Sequence, residues 1–475
     1  MGLGFAPFAA AECVLRWSCW RPALPETDPF LSFRTTEPLF VLEPATGLYA
    51  IPKHRLTHFR PESFPAAKPA EEFRVFCMGG STVQGRPFAT ETSFTTWLEL
   101  RLRAAAPSRS WDVINCGGIS YASYRLVPIV REVLNHSPDL LVIYTGHNEF
   151  LEDRGYGHLR PSGGVLTRAA LWLAQLRVCE FLRSGFSKPV DTDEQKESAH
   201  RPVLSTEVEA LLDYRGGLEH YHRDPVRRRD VIRHFRYNVE RMVQLAKKAG
   251  VPVVLVNPVS NLRDSAPFKS AHGSDLTAEE RREAAATWTP ARGANDSHAG
   301  SALVALLEVT RLDDQHAMLQ YELAKTYDLL GRDAEAKQAY VRAKELDICP
   351  LRILEPMHAI VREVAHARGA PFVDAKALFE SVSDRGIPGN DWLLDHVHPS
   401  IRGHQLLATA LFDEFTRRDW IRPEPGAEER RERLYTKHID SLSTFYFAKG
   451  TSRLEALRLW AAGRVTRDRD KKPVD

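Results

Sequence analysis

The sequence predicts an α/β fold built on a parallel, doubly wound sheet, and two observations carry that prediction. Apolar runs of strand length alternate with helical stretches: 73–78, 111–115, 139–144, 251–257 and 371–374. Such alternation marks βαβ units. Several of these runs break into turn residues, as in Gly79-Gly80-Ser81, Asn115-Cys116-Gly117-Gly118 and Gly146-His147-Asn148. Side chains in such breaks stand at the carboxyl edge of a parallel sheet, where ligands bind. Size and composition agree. The chain has 475 residues, 43% hydrophobic and 27% charged, which suits a globular protein of two or three domains. Its net charge of +2, from 64 Lys and Arg against 62 Asp and Glu, gives no electrostatic case for nucleic acid.

Residues 1–70 hold an apolar N-terminal stretch, Gly2 to Leu15, then a Pro-, Phe- and Arg-rich segment. The latter reads as an extended wrap with a β-hairpin near Leu39–Ile51. The core begins over 71–150: strand 73–78, helix Thr92–Ala105, strand 111–115, helix Tyr124–Asn135 and strand 139–144. Residues 151–250 read as a helical lid (Val165–Phe181, then the polar Ser187–His200) and a core helix, Val226–Lys248. A long insertion at this edge forms a lid or a substrate wall. The fourth strand lies in 251–265, and its carboxyl end brings Asn261 toward the site. Residues 275–350 carry a repeat: Leu312-Asp313 and Leu346-Asp347, like Ala302 and Ala336, are 34 residues apart. That is the tetratricopeptide period, with Gly331 turning between two helices. The core resumes over 351–420 with helix Arg352–Arg368, strand Pro371–Asp374 and helix Gly403–Arg417. Residues 427–475 read as one or two amphipathic helices and a charged tail.

The chemistry concentrates at the strand ends. Gly-Gly-Ser is commonly an ordinary turn, yet after an apolar strand it exposes the Ser81 hydroxyl beside space for a carbonyl. A hydroxyl needs an imidazole to take its proton and a carboxylate to orient that imidazole. Asp395 and His398 lie three residues apart in Asp-His-Val-His-Pro and can supply both. The bland alternative is a capping Asp beside a surface His. Asp395 with His396 and His404 also suggests a metal site, but such a site needs a second ligand cluster, and none appears at ligand spacing. No metal and no cofactor is expected. Asn148 is a candidate oxyanion donor, or else a helix cap. The six cysteines show no CxxC pairing; Cys77 and Cys116 read as buried hydrophobes.

The blocks Gly-Gly-Ser-Thr, Asn-x-Gly, Gly-x-Asn-Glu and Asp-x-x-His-Pro, in this order, resemble the SGNH hydrolase family, also called GDSL-like esterases. The resemblance covers about 73–150, 250–262 and 370–416. It implies a flavodoxin-like three-layer core with strand order 2-1-3-4-5. It implies Ser81 as nucleophile, His398 as base and Asp395 as its orienter. Ser81, Asn148 and either Gly118 or Ser120 would form the oxyanion hole. The second block departs from the pattern, because ungapped alignment from Asn115 puts the oxyanion glycine on Ser120. Thr82, His147, Glu149 and Asn261 are expected on the substrate wall.

The resemblance implies hydrolysis of a small acyl ester, with an O-acetyl ester of a carbohydrate as the expected substrate. Transfer of the acyl group to a hydroxyl would use the same residues. A scaffold acting through the 275–350 unit on a protein partner is the reading from another class; the joint presence of Ser81, Asn148, Asp395 and His398 weighs against it. For the apolar N-terminus, too short to span a bilayer, three readings stand: the end of a signal anchor, a monotopic segment, or a buried helix. The first, with a membrane-tethered or exported protein of the cell envelope, is the expectation drawn from the family.

Overall fold

The computed structural model describes residues 28–33, 37–156, 203–291 and 297–464, with isolated residues 11, 14 and 17. The helices expected at Val165–Phe181, the polar stretch Ser187–His200, nearly all of the apolar N-terminal stretch and the charged tail lie outside the described residues. The chain divides into two compact units, 1–37 with 153–206 and 38–152 with 207–475. In the first, Ser32–Phe33 pairs in parallel with Val203–Leu204. All that follows concerns the second.

Its centre is a five-stranded sheet: β1 (Glu72–Gly79), β2 (Ser110–Gly117), β3 (Leu140–Tyr144), β4 (Val253–Asn257) and β5 (Phe372–Asp374). Every pairing is parallel and the order is 2-1-3-4-5, as the family resemblance implies. The inner strand β1, between β2 and β3, has Cys77 opposite both Asn115 and Val142. Its apolar run is continuous because both faces are covered: Val75, Phe76, Cys77 and Met78 are wholly buried. Burial of side chains of this size is worth about 1.5–3 kcal/mol each.

Helices α1 (Ser81–Gln84), α2 (Phe94–Ala105), α3 (Ser123–Val133) and α4 (Pro225–Lys248) follow strands β1, β2 and β3 along the chain. α2 starts two residues after the expected Thr92, because the Ser93 side chain accepts the Thr95 N–H and caps the helix. α4 starts at Pro225 behind Asp224, whose Oδ1 accepts the Val226 and Arg227 N–H groups. The expected hairpin near Leu39–Ile51 is present, Val41–Glu43 paired with Leu48–Ala50, and Ser63–Pro65 extends it to a three-stranded antiparallel sheet. It is tied to α3 where the Leu39 and Phe40 N–H groups donate to the Glu132 carboxylate.

Between β4 and β5 stand α5 (Ala278–Ala291), α6 (Ala299–Leu312), α7 (Ala317–Leu329), α8 (Asp333–Leu346) and then α9 (Glu355–Arg368). α7 and α8 form an antiparallel pair that closes on the small buried residues Ala324, Ala336, Ala339 and Ala343. Ala302 of α6 and Ala336 of α8, 34 residues apart, are both buried. After β5 come α10 (Ala375–Val382) and α11 (Ile401–Arg417), the latter packed with α2 on the face presented by Val75, Cys77, Val142 and Val254.

The expected C-terminal helices are α12 (Ala427–Ser441) and α13 (Thr444–Ala461). α12 lies on α2: Tyr435 packs on Trp97 and its hydroxyl donates to the Trp97 carbonyl at 2.8 Å. α13 grips the loop after α1. Tyr446 stacks on Phe88, Arg453 Nη1 donates to the Phe88 carbonyl at 2.9 Å, and Gly450 leaves the space that the Phe88 ring fills. No helix among the described residues is long and apolar enough to cross a membrane.

Candidate active site

β1 delivers Ser81 to the carboxyl edge of the sheet. Gly79 stands between Gly117 and Tyr144 in register. A Cβ on Gly79 would run into the Tyr144 carbonyl and the Val83 side chain, and one on Gly80 would sit 2.5 Å from Asn148 Nδ2. The two glycines are therefore a packing requirement: they let α1 turn tightly off the strand with the Asn148 amide laid against the turn.

The loop after α10 delivers the other two groups. Asp395 Oδ1 accepts the N–H groups of Val397 and His398, both at 2.9 Å, and these bonds fold the loop back on itself. That aims Oδ2 at His398 Nδ1, 2.7 Å away, and leaves His398 Nε2 2.8 Å from Ser81 Oγ. The three side chains thus form one hydrogen-bonded chain. Burial acts to raise the Asp395 pKa, but the facing His398 and His396 rings and the loop hydrogen bonds outweigh it and hold the carboxyl far below its usual range. An ionised Asp395 only accepts, so Nδ1 of His398 carries the proton. Nε2 is then the acceptor for the Ser81 hydroxyl, as a general base requires.

Asn148 lies beside Ser81 on the same pocket wall. One Nδ2 hydrogen goes to the Tyr121 carbonyl at 3.0 Å, which fixes the amide and leaves its second hydrogen for a ligand. Of the two candidates in the second block, Ser120 lies on the wall, with φ +62° and an N–H that makes no hydrogen bond among the described residues. Gly118 is corrected: its N–H is spent on the Gly79 carbonyl at 3.0 Å, and its Cα packs against the Tyr121 ring.

The four expected wall residues lie behind the pocket. Thr82 is buried in α1. Glu149 is wholly buried and accepts from the Ser123 N–H and hydroxyl, tying down the start of α3. His147 Nδ1 accepts the Ile353 N–H, and Asn261 bonds Asn390 and Asp264. Instead the wall of this cavity of about 450 Å³ includes Arg86, Ile119, Leu151, Asp213 and Leu351, with Leu457, Trp460 and Arg464 from α13 and the turn after it. Trp460 Nε1 donates to Asp213 at 2.9 Å.

His404 belongs to the frame. Its Nδ1 accepts the Phe94 N–H at 3.2 Å, and burial, with His398 nearby, pushes its pKa down to about 3. No cluster of three His, Cys, Asp or Glu side chains able to hold a metal occurs among the described residues. His404 also gives a pH prediction. As pH falls below 6.5, the unfolded chain takes up a proton that the folded ring refuses until about pH 3. The unfolded state then binds more protons, so stability falls with pH in that window. Wild type should lose about 1.4 kcal/mol per pH unit relative to His404→Gln between pH 6 and pH 4. Denaturant melts of both proteins at pH 7.5 and 4.5 measure this, and a difference that does not change with pH would refute it.

No protein-family model matches the chain, and no curated protein matches it. Among solved structures it is similar to an acetylxylan esterase from Geobacillus stearothermophilus, at 13% identity over 74% of this chain and 95% of that one, with a TM-score of 0.32. It is similar to a GDSL-like lipase from Bacteroides thetaiotaomicron, at 13% identity, 74% and 92% coverage and a TM-score of 0.31. A third is an alpha/beta hydrolase enzyme from the metagenome of Lake Arreo, Spain, at 12% identity, 74% and 97% coverage and a TM-score of 0.32.

Proposed function

We propose that this chain is a serine esterase of the SGNH type that cleaves a small acyl ester through an acyl-enzyme. The observation that carries the reading is the chain Ser81 Oγ–His398 Nε2, 2.8 Å, and His398 Nδ1–Asp395 Oδ2, 2.7 Å, opening on a pocket with Asn148. Ser81 Oγ attacks the ester carbonyl while His398 Nε2 takes its proton. The oxyanion of the tetrahedral intermediate meets the free hydrogen of Asn148 and the N–H groups of Ser81 and Ser120. His398 returns the proton to the departing alkoxide, and the same base then activates the water that releases the acid. The cavity of about 450 Å³ is larger than an acetyl group needs. An acetyl ester on a carbohydrate hydroxyl suits it, with the sugar filling the remaining volume. The helices α5–α8 are read as a two-repeat tetratricopeptide-like unit that serves recognition of a protein partner rather than chemistry.

Wild type should turn over p-nitrophenyl acetate. Asn148→Ala should lower kcat by about 10²–10³ with a smaller change in KM, as for loss of one oxyanion donor. Absence of turnover in the folded wild type would sink the esterase reading; an Asn148→Ala enzyme of undiminished kcat would remove Asn148 from the oxyanion hole.

A further inference from the structure

The pocket beside Ser81 holds more positive charge than ester cleavage needs. Arg86 sits two residues past α1, and its backbone N–H donates to the Ser81 carbonyl at 3.1 Å, so it is fixed to the nucleophile's own turn. Its side chain lines the pocket, and its Nε is buried without a hydrogen-bond partner. Arg60 Nε is buried and unpartnered in the same way. Arg453 spends one N–H on the Phe88 carbonyl, and Arg464 lines the pocket from the turn after α13. None of the four guanidinium groups makes an ion pair among the described residues.

The two acids that act on Arg86, Asp395 and Asp213, are otherwise engaged. Asp395 is held by His398 and two backbone amides, and Asp213 accepts from Trp460. The clustering shows in the electrostatics. Burial first, then Arg453, lowers the Arg86 pKa; burial, Arg453 and Arg86 push that of Arg60 down to about 10. Asp395 and Asp213 act the other way on Arg86, and Glu91 on Arg60, yet among the described residues none of them forms an ion pair with these guanidinium groups, so an anionic ligand would supply the paired charge that the cluster lacks. Arg86 and Arg464 line a concave wall together with Ile119, Leu151, Leu457 and Trp460, and Arg453 and Arg60 add positive charge close to Arg86 without lining the pocket themselves.

We propose that the pocket selects an anionic ester, one that carries a carboxylate, phosphate or sulfate group near the scissile bond, which Arg86 receives with Arg464 at the rim. Arg60 and Arg453 strengthen the field behind Arg86. The proposal rests on the esterase reading and names its substrate class. Guanidinium groups suit such oxyanions because their forked donors match two oxygens at once.

The experiment compares kcat/KM for neutral p-nitrophenyl acetate with 4-acetoxybenzoate, 4-acetoxyphenyl phosphate and p-nitrophenyl hydrogen succinate. These place a carboxylate on the alcohol side, a phosphate on the alcohol side and a carboxylate on the acyl side. Arg86→Gln should lower the anionic-to-neutral ratio about 10- to 100-fold for at least one of them, and Arg86→Lys should retain part of it. In wild type, 4-hydroxybenzoate or 4-hydroxyphenyl phosphate should compete with the neutral ester, less so at high salt, while 4-hydroxybenzamide should not. The wild-type measurement stands even if an Arg86 variant fails to fold. Ser81-dependent turnover of the neutral ester with an unchanged ratio and no anion inhibition would overturn the anionic-substrate proposal alone. Lack of Ser81-dependent turnover of every ester would overturn the esterase reading and the proposal with it.

Discussion

Ser81→Ala is expected to lower kcat for small esters by about 10⁴–10⁶, leaving only the turnover that binding and the oxyanion donors provide. The size of the effect follows from the geometry. His398 Nε2 has Ser81 Oγ as its partner at 2.8 Å, so removing the oxygen leaves the base with no proton to take and the carbonyl with no nucleophile. The fold should survive. Ser81 lies at the pocket wall, and its loss removes one hydroxyl without opening an apolar cavity. The measurement is a p-nitrophenyl ester assay on variant and wild type, with circular dichroism to show that both are folded. A folded Ser81→Ala protein with wild-type turnover would end the serine mechanism.

Asp395→Asn is expected to cost about 10⁴ in kcat, nearly as much, although it leaves both the nucleophile and the base in place. An asparagine oxygen in the Oδ1 position can still accept the Val397 and His398 N–H groups, so the loop keeps its shape. The amide nitrogen then stands where Oδ2 met His398 Nδ1. Two donors cannot face each other, so the ring gives up the Nδ1 proton and carries one on Nε2. Nε2 then points a hydrogen at Ser81 and can no longer take one. The signature is a large fall in kcat with near-normal thermal stability; a variant within tenfold of wild type would show that Asp395 does not set the tautomer.

Much of this site is legible along the chain because its parts are local. The apolar β1 run, its two glycines and Ser81 are consecutive, and the Asp395–His398 loop folds on itself through hydrogen bonds three residues long. The sheet order needed the family resemblance, and the observed registers agree with it. What was not legible depends on side-chain direction or on distant chain. Residues 147–149 lie in the turn after β3, beyond Gly146 at φ +137°, and only the fold shows that Asn148 lines the pocket while His147 and Glu149 are bonded into the frame. Choosing between Gly118 and Ser120 required knowing that Gly79 already takes the Gly118 N–H. Arg86 has no motif around it, and nothing in an Arg- and Leu-rich C-terminal stretch says that its Trp460 returns to the nucleophile's pocket.

That return has a consequence in time. His398 meets Ser81 across 317 residues of chain, and Arg453 reaches Phe88 across 365. A ribosome adding about 5–20 residues per second needs roughly 15–60 s to make the first of those spans. Throughout that interval the nascent chain carries its serine as an ordinary hydroxyl, with no base to deprotonate it and no far wall to hold an ester. On the proposed esterase reading, the site is therefore complete only once the distal third of the chain has folded back.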